Sequence, residues 1–129
     1  MILYNAGNVC FRADELHLAL ECYKQALLGF DHPGVYNNIS AVLDRLGRYQ
    51  EARSWLQRAI DINPHYPQTW LNLLTISLTR ELGGVSTDHY IQGFRDAGGT
   101  WSFAAHFCQM LSDDERPLIE PLLRAAFGE

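Results

Sequence analysis

Residues 36–64 carry two helical faces joined by a short turn. The first face repeats every three or four residues and consists of Tyr36, Ile39, Ser40 and Leu43. The second has the same spacing and consists of Ala52, Leu56, Ala59 and Ile60. Gly47 favours a chain reversal between them, and the residue before Pro64 is disfavoured in a helix. The stretch therefore predicts two helices in close contact at their small residues.

The same pattern returns on both sides of this stretch. Positions 7, 19, 23 and 26 stand 33 residues before 40, 52, 56 and 59, and positions 70 and 73 stand 34 residues after 36 and 39. The matching residues are Gly7, Ala19, Tyr23, Ala26, Trp70 and Leu73. This order and period resemble the tetratricopeptide repeat. The resemblance implies an all-α fold, a right-handed α-solenoid of antiparallel helix pairs.

The repeats divide the chain into three units and a cap within one expected domain, 1–129. Repeat 1 is expected over about 1–33, repeat 2 over about 34–66 and repeat 3 over about 67–98, where the second helix is degenerate. A helix pair over about 99–129 is expected to cap the array, because the last face of a solenoid has no neighbour to cover it.

Helix ends are predicted from local signals. Asp14 is predicted to cap the second helix, Thr87 or Asp88 the sixth, and Thr100 the seventh. Residues 29–34 are rich in helix breakers and predict the turn between repeats 1 and 2.

The last helix has two conflicting signals. Residues 112–115 match a capping box, which predicts a helix running through Phe127. Pro121 is expected to kink that helix or to confine regular structure to its C-terminal part.

Composition narrows the class of protein. The 129 residues are 47 % hydrophobic, enough for a continuous core, and the net charge of −5 argues against a nucleic-acid-binding surface. The three cysteines show no CxxC spacing, which favours a reducing cytoplasm. We see no signal peptide and no apolar run long enough to span a bilayer, so membrane insertion is not expected.

Catalytic chemistry is not indicated. The five histidines are scattered and form no metal-ligand motif, and we find neither a nucleophile motif nor a phosphate-binding glycine loop. Consecutive acids at 113–115 are explained by the start of a helix. No enzyme activity, cofactor or metal is predicted.

The resemblance implies that the first helix of each repeat lines a concave groove that binds a peptide or protein segment. The residues expected to line it are Tyr4, Asn5, Asn8, Phe11, Arg12, Asn37, Asn38, Ala41, Asp44, Arg45, Gln68, Leu71, Asn72 and Thr75. Tyr4, Phe11, Arg45 and Leu71 are expected to select ligand side chains.

Asparagine recurs on this face at 5, 38 and 72. A carboxamide both donates and accepts hydrogen bonds, so a row of them could hold a peptide backbone. The row resembles the asparagine ladder of repeat domains attached to O-linked N-acetylglucosamine transferases. Alternatively, each asparagine closes a hydrogen bond between helices or recurs by shared ancestry.

A second resemblance, to the chaperone-binding tetratricopeptide domains that clamp a C-terminal carboxylate, is only partial. Asn8 and Asn38 match the two clamp asparagines, but the lysine places hold Tyr4 and Gln68 and the arginine place holds Asn72. Without cations a buried carboxylate would lack charge-assisted partners. A carboxylate clamp is therefore not predicted.

The leading hypothesis is a protein-interaction module with a peptide-binding groove. One alternative is a substrate-docking domain of a larger glycosyltransferase. Another is a homo-oligomeric scaffold, with a dimer or partner surface formed by the C-terminal aromatic residues Trp101, Phe103, Phe107 and Phe127.

Overall fold

The computed structural model describes residues 1–84 and 86–128, and all regular structure within these ranges is helical. The helices are α1 (Ile2–Arg12), α2 (Leu16–Ala26), α3 (Pro33–Arg45), α4 (Tyr49–Ile62), α5 (Pro67–Thr79), α6 (Thr87–Asp96), α7 (Trp101–Met110) and α8 (Arg116–Ala126). The all-α prediction is confirmed. The chain divides into two compact units, Met1–Asn63 and Pro64–Glu129, and the single domain expected over 1–129 stays a prediction.

The first unit contains α1 to α4, and its core matches the predicted pattern. α1 packs on α2, α2 on α3, and α3 on α4. The small residues Ala19, Ala52 and Ala59 are fully buried. Their large partners, including Tyr23, Ile39, Leu43 and Leu56, are at most 1 % exposed. Burial of these side chains is the main force that holds the short helices together, since helices of this length are marginal alone.

Glycine makes room for a close contact between two helices of the first unit. A Cβ atom built on Gly7 would lie 2.6 Å from the Tyr23 ring. The second unit uses the reverse arrangement, because Gly93 of α6 makes room for Trp70 of α5. In both cases a large ring on one helix requires a missing side chain on the other.

The second unit departs from a simple series of hairpins. α5 packs on α6, whereas α8 packs on both α7 and α5. Its core includes Leu73, Phe94, Ile119 and Leu123, none of which is exposed. The last helix thus covers part of the first helix of its own unit.

Two predicted caps are wrong. Asp14 has φ of 62° and lies in the turn, so α2 begins only at Leu16. Aspartate tolerates this left-handed conformation, which an N-cap does not adopt. Ser86, rather than Thr87 or Asp88, caps α6 by accepting from the His89 backbone N–H at 3.3 Å.

The turn predicted over residues 29–34 is shorter than expected. α3 already begins at Pro33, where proline is favoured because its missing N–H has no helical partner. His32 is the cap, since its Nδ1 accepts from the Gly34 backbone N–H at 2.9 Å. The Thr100 prediction is confirmed, because its hydroxyl accepts from the Phe103 N–H at 3.2 Å.

The end of the chain combines the two conflicting signals. Ser112 and Glu115 bond each other reciprocally, at 3.1 and 3.2 Å, as the capping box predicts. α8 then runs through Pro121, which is exposed, so regular structure is not confined to the part after Pro121, and the alternative of a kink stays a prediction. The run Gly83-Gly84-Val85-Ser86 also predicts a longer turn from its sequence, and Val85 within it lies outside the described residues.

Candidate functional site

Four polar side chains from three helices meet in the first unit. Asn38 donates from Nδ2 to the Tyr4 hydroxyl at 3.1 Å and to Asn8 Oδ1 at 3.2 Å. The Tyr23 hydroxyl donates to the same Asn8 oxygen at 2.5 Å. We refer to Tyr4, Asn8, Tyr23 and Asn38 as the carboxamide cluster.

Helical spacing and the close approach at Gly7 assemble this cluster. Tyr4 and Asn8 are four residues apart on α1 and so share one face. Tyr23 reaches Asn8 from α2 because its ring lies directly on Gly7. Asn38 reaches both from α3. The cluster therefore connects three consecutive helices.

Burial makes Tyr23 a permanent donor in this cluster. Burial, with a smaller contribution from Tyr4, raises the pKa of Tyr23 to about 12. The hydroxyl therefore keeps its proton at neutral pH. It can hold Asn8 in one orientation, with the oxygen turned inward and the nitrogen turned away.

The internal bonds determine what the cluster can offer a ligand. Both N–H groups of Asn38 are used, which leaves its carbonyl oxygen as an acceptor. Asn8 accepts two bonds through its oxygen, which leaves its two N–H groups as donors. Tyr4 accepts from Asn38 and keeps its own proton for donation. The cluster therefore offers a ligand uncharged donors from Asn8 and Tyr4 and one acceptor, the Asn38 oxygen.

The other predicted residues of the first unit lie around the cluster or on its helices. The Arg45 guanidinium stacks 4.4 Å from the centre of the Phe11 ring and lies 3.7 Å from an Asp14 carboxylate oxygen. Asn5 and Arg12 are exposed, whereas Ala41 and Asp44 are partly buried.

In the second unit, Asn72 has a different hydrogen-bond arrangement from Asn38. Its oxygen accepts from Gln68 Nε2 at 3.1 Å, one turn earlier in α5, and its nitrogen makes no hydrogen bond to a described residue. Thr75 donates to the Leu71 carbonyl oxygen at 2.8 Å. The two asparagines occupy the same repeat position but offer a ligand opposite groups.

Two predicted groove residues are not on the surface. Leu71 is fully buried and Asn37 is only 8 % exposed, which removes both from any face that a ligand could touch. Within the described residues, Asn37 Oδ1 is buried without a hydrogen-bond partner. Leu71 cannot select ligand side chains as predicted.

In the repeat pattern of the sequence, Tyr23 is only a core residue. Its ring is in the core, but its hydroxyl orients Asn8. The sequence contained a sign of this role, because the equivalent position in the next repeat is Leu56. Tyrosine in place of leucine adds a hydroxyl, and a buried hydroxyl needs a hydrogen-bond partner.

Most of the C-terminal aromatic residues pack on their own unit. The Trp101 and Phe127 rings lie 6.2 Å apart, and Phe107 is 9 % exposed. Phe103 is 37 % exposed. Trp101 and Phe127 are nevertheless partly exposed, and a dimer or partner surface formed by these residues stays a prediction.

The described part of the chain holds no group of three or more His, Cys, Asp or Glu side chains that could bind a metal ion. The same part has no helix that is both long and apolar enough to cross a membrane. Burial raises the pKa of the Cys108 thiol, and burial together with Cys10 raises that of Cys22. Raised values disfavour the reactive thiolate.

Comparison with known proteins agrees with the repeat pattern. A model of the tetratricopeptide repeat matches residues 1–65. The human and mouse proteins called tetratricopeptide repeat protein 8 are 34 % and 31 % identical over 77 residues, or 59 % of this chain. The chain spans only 14 % and 15 % of their lengths.

Solved structures show the same fold. The Sgt2 TPR domain from Aspergillus fumigatus matches with a TM-score of 0.66 and 21 % identity, over 96 % of this chain and 76 % of that one. The Arabidopsis OM64 TPR domain matches with a TM-score of 0.63 and 19 % identity, over 97 % and 93 %. At these identities the likeness concerns fold alone.

Proposed function

This chain belongs to the tetratricopeptide repeat family, whose domains are in general non-catalytic protein-interaction modules, and we propose that it binds an extended peptide on the first-helix face of its repeats. In the first unit the contact is the carboxamide cluster. In the second it is Asn72 with Gln68.

The observation that carries this proposal is the set of groups that the cluster turns outward. Asn8 and Tyr4 supply donors for a backbone carbonyl, and the Asn38 oxygen supplies an acceptor for a backbone N–H. A peptide group carries one of each, so the set matches an extended backbone irrespective of its side chains. The cluster has no cation, which favours neutral backbone over a terminal carboxylate.

This proposal modifies the asparagine ladder. In a ladder of identical roles, Asn5, Asn38 and Asn72 would all bond the ligand in the same way. In the proposed contact, the oxygen of Asn38 accepts from the ligand. Asn72 and Asn8 instead donate to the ligand through the N–H groups that their internal bonds leave unused. Each unit would therefore offer a peptide backbone a different set of groups, rather than one repeated contact.

A charge-changing variant tests the proposal without breaking the internal bonds. Peptides are selected from a random-sequence display library on the wild-type chain, and their affinity is measured by fluorescence anisotropy. Asn8→Asp keeps the oxygen that accepts from Tyr23 and Asn38 but removes both outward N–H donors. We expect about tenfold weaker binding, the loss of one good hydrogen bond.

The matched control is Gln50→Glu. This exposed α4 carboxamide also accepts through its oxygen, from Arg53, and gains the same charge. It should leave the affinity within about twofold. Equal affinity of Asn8→Asp and wild type, or a selection that yields no binding peptide, would refute the proposal.

The two other hypotheses, a docking domain of a larger glycosyltransferase and a homo-oligomeric scaffold, have no structural observation of their own in their favour. Cytoplasmic location likewise stays a prediction.

A further inference from the structure

The second unit contains a cavity of about 430 Å³ between α5 and α7. One wall is the α5 face with Gln68, Asn72 and Thr75. The other is apolar and includes Phe103, Phe107 and Met110 of α7. We call this cavity the α5–α7 pocket.

The pocket has fixed walls and an apolar surface open to water. α8 packs against both α5 and α7, which holds the two helices in place. Met110 is 76 % exposed and Phe103 is 37 % exposed, so covering them would remove apolar surface from water. Methionine and phenylalanine are typical of surfaces that receive a partner's apolar side chain.

The chemistry of the lining restricts the ligand. It contains no Asp or Glu, so a cationic side chain would lose its water without gaining an ionic partner. The polar edge restricts it further. Asn72 retains its N–H donors and Gln68 its oxygen, and a pure hydrocarbon would cover both without satisfying them.

We propose that the α5–α7 pocket receives a large apolar side chain of a bound peptide, while Asn72 and Gln68 bond the adjoining peptide groups. The inference rests on the proposed function for the nature of the ligand. The proposed backbone contacts do not distinguish one peptide sequence from another. The α5–α7 pocket adds specificity, because the side chains of α7 select the ligand side chain that fits.

The test uses N-acetyl-tryptophan amide, which combines one large apolar side chain with two peptide-like groups. The chain has two methionines, so methyl-labelled protein gives two signals, Met110 in the pocket and Met1 as an internal reference. We expect N-acetyl-tryptophan amide to shift the Met110 signal in a saturable way. N-acetyl-lysine amide should not, because its ammonium would be desolvated.

Two variants and a second small molecule test whether the titration reports on the pocket. His106 is an exposed residue of the lining, so His106→Glu should weaken the titration about tenfold. Ser102→Glu, exposed on the same helix outside the lining, should leave it within about twofold. Equal binding of 3-methylindole, which has the ring without the peptide groups, would overturn the peptide assignment.

Other outcomes are also decisive. Shifts at Met110 that depend on protein concentration alone would assign the pocket to a second copy and overturn the proposal, as would an unshifted Met110 signal. This titration needs no selected peptide. A negative titration at the pocket therefore does not affect the interpretation of Asn8→Asp. Likewise, a negative Asn8→Asp result does not affect the interpretation of the titration.

Discussion

Asn38 and Asn72 occupy the same repeat position, yet their carboxamides are used in opposite ways. Asn38 donates both N–H groups to Tyr4 and Asn8 of another helix, whereas the Asn72 oxygen accepts from Gln68 of its own helix. The residue four positions before Asn38 is Gly34, which has no side chain to bond. The repeat pattern thus determines where on the helix a side chain lies. The neighbouring side chains determine which of its donors and acceptors remain available to a ligand.

The largest effect is expected where the first unit is most tightly packed. Gly7→Ala would place a Cβ atom against the buried Tyr23 ring and displace the hydroxyl that orients Asn8. We expect a loss of about 3 kcal/mol in the free energy of unfolding, measured by urea denaturation. Gly29→Ala, in open space, is the control and should change it by less than about 0.5 kcal/mol. Equal effects would show that Tyr23 can move aside.

Matched substitutions test the comparison of the two asparagines itself. Asn38→Asp removes both donors and sets a carboxylate against the Asn8 oxygen, so we expect a loss of about 2 kcal/mol in unfolding free energy. Asn72→Asp keeps the oxygen that accepts from Gln68 and should cost less than about 0.5 kcal/mol. Equal losses would mean that the two carboxamides have the same role.

The preceding positions provide a stabilising variant. Asn37 and Leu71 also share one repeat position, and Asn37 buries an oxygen without a partner among the described residues. Asn37→Leu should raise the free energy of unfolding by about 1 kcal/mol, because it removes that penalty at similar volume. A loss of stability would show that the oxygen is bonded in solution.

Alkaline pH should weaken the first unit with little effect near neutrality. Burial raises the pKa of Tyr23 from 10 to about 12, and burial with the Asp31 hydrogen bond does the same for Tyr36. The folded state therefore prefers both protons more strongly than the unfolded chain does. Stability should be fully present below pH 10 and fall as the pH rises towards 12. Urea denaturation at several pH values checks this, and a flat profile would contradict it.

The periodicity predicted the packing well, because core positions depend on residue size and spacing. Ala52, Leu56 and Ala59 are buried as their spacing indicated. Helix ends were harder, since several neighbouring residues can cap and only the backbone angles decide among them. Ser86 rather than Thr87 is an example.

The candidate site could be predicted in position but not in detail. The sequence indicated that Tyr4, Asn8 and Asn38 share a surface, and hydrogen bonds connect them. It gave no indication that Leu71 would be buried, or that α7 would form a pocket with Gln68 and Asn72. Both depend on how the degenerate second unit packs, where the repeat pattern no longer applies.

The most direct test of the account measures hydrogen exchange of the two side-chain amides. In a nitrogen-15 spectrum, the NH₂ signals of Asn38 and Asn72 can be assigned by their loss in Asn38→Asp and Asn72→Asp. We predict that the Asn38 side-chain protons exchange with heavy water about tenfold more slowly than those of Asn72, because two internal bonds protect them. Equal rates, or slower exchange at Asn72, would contradict the different roles assigned to the two asparagines.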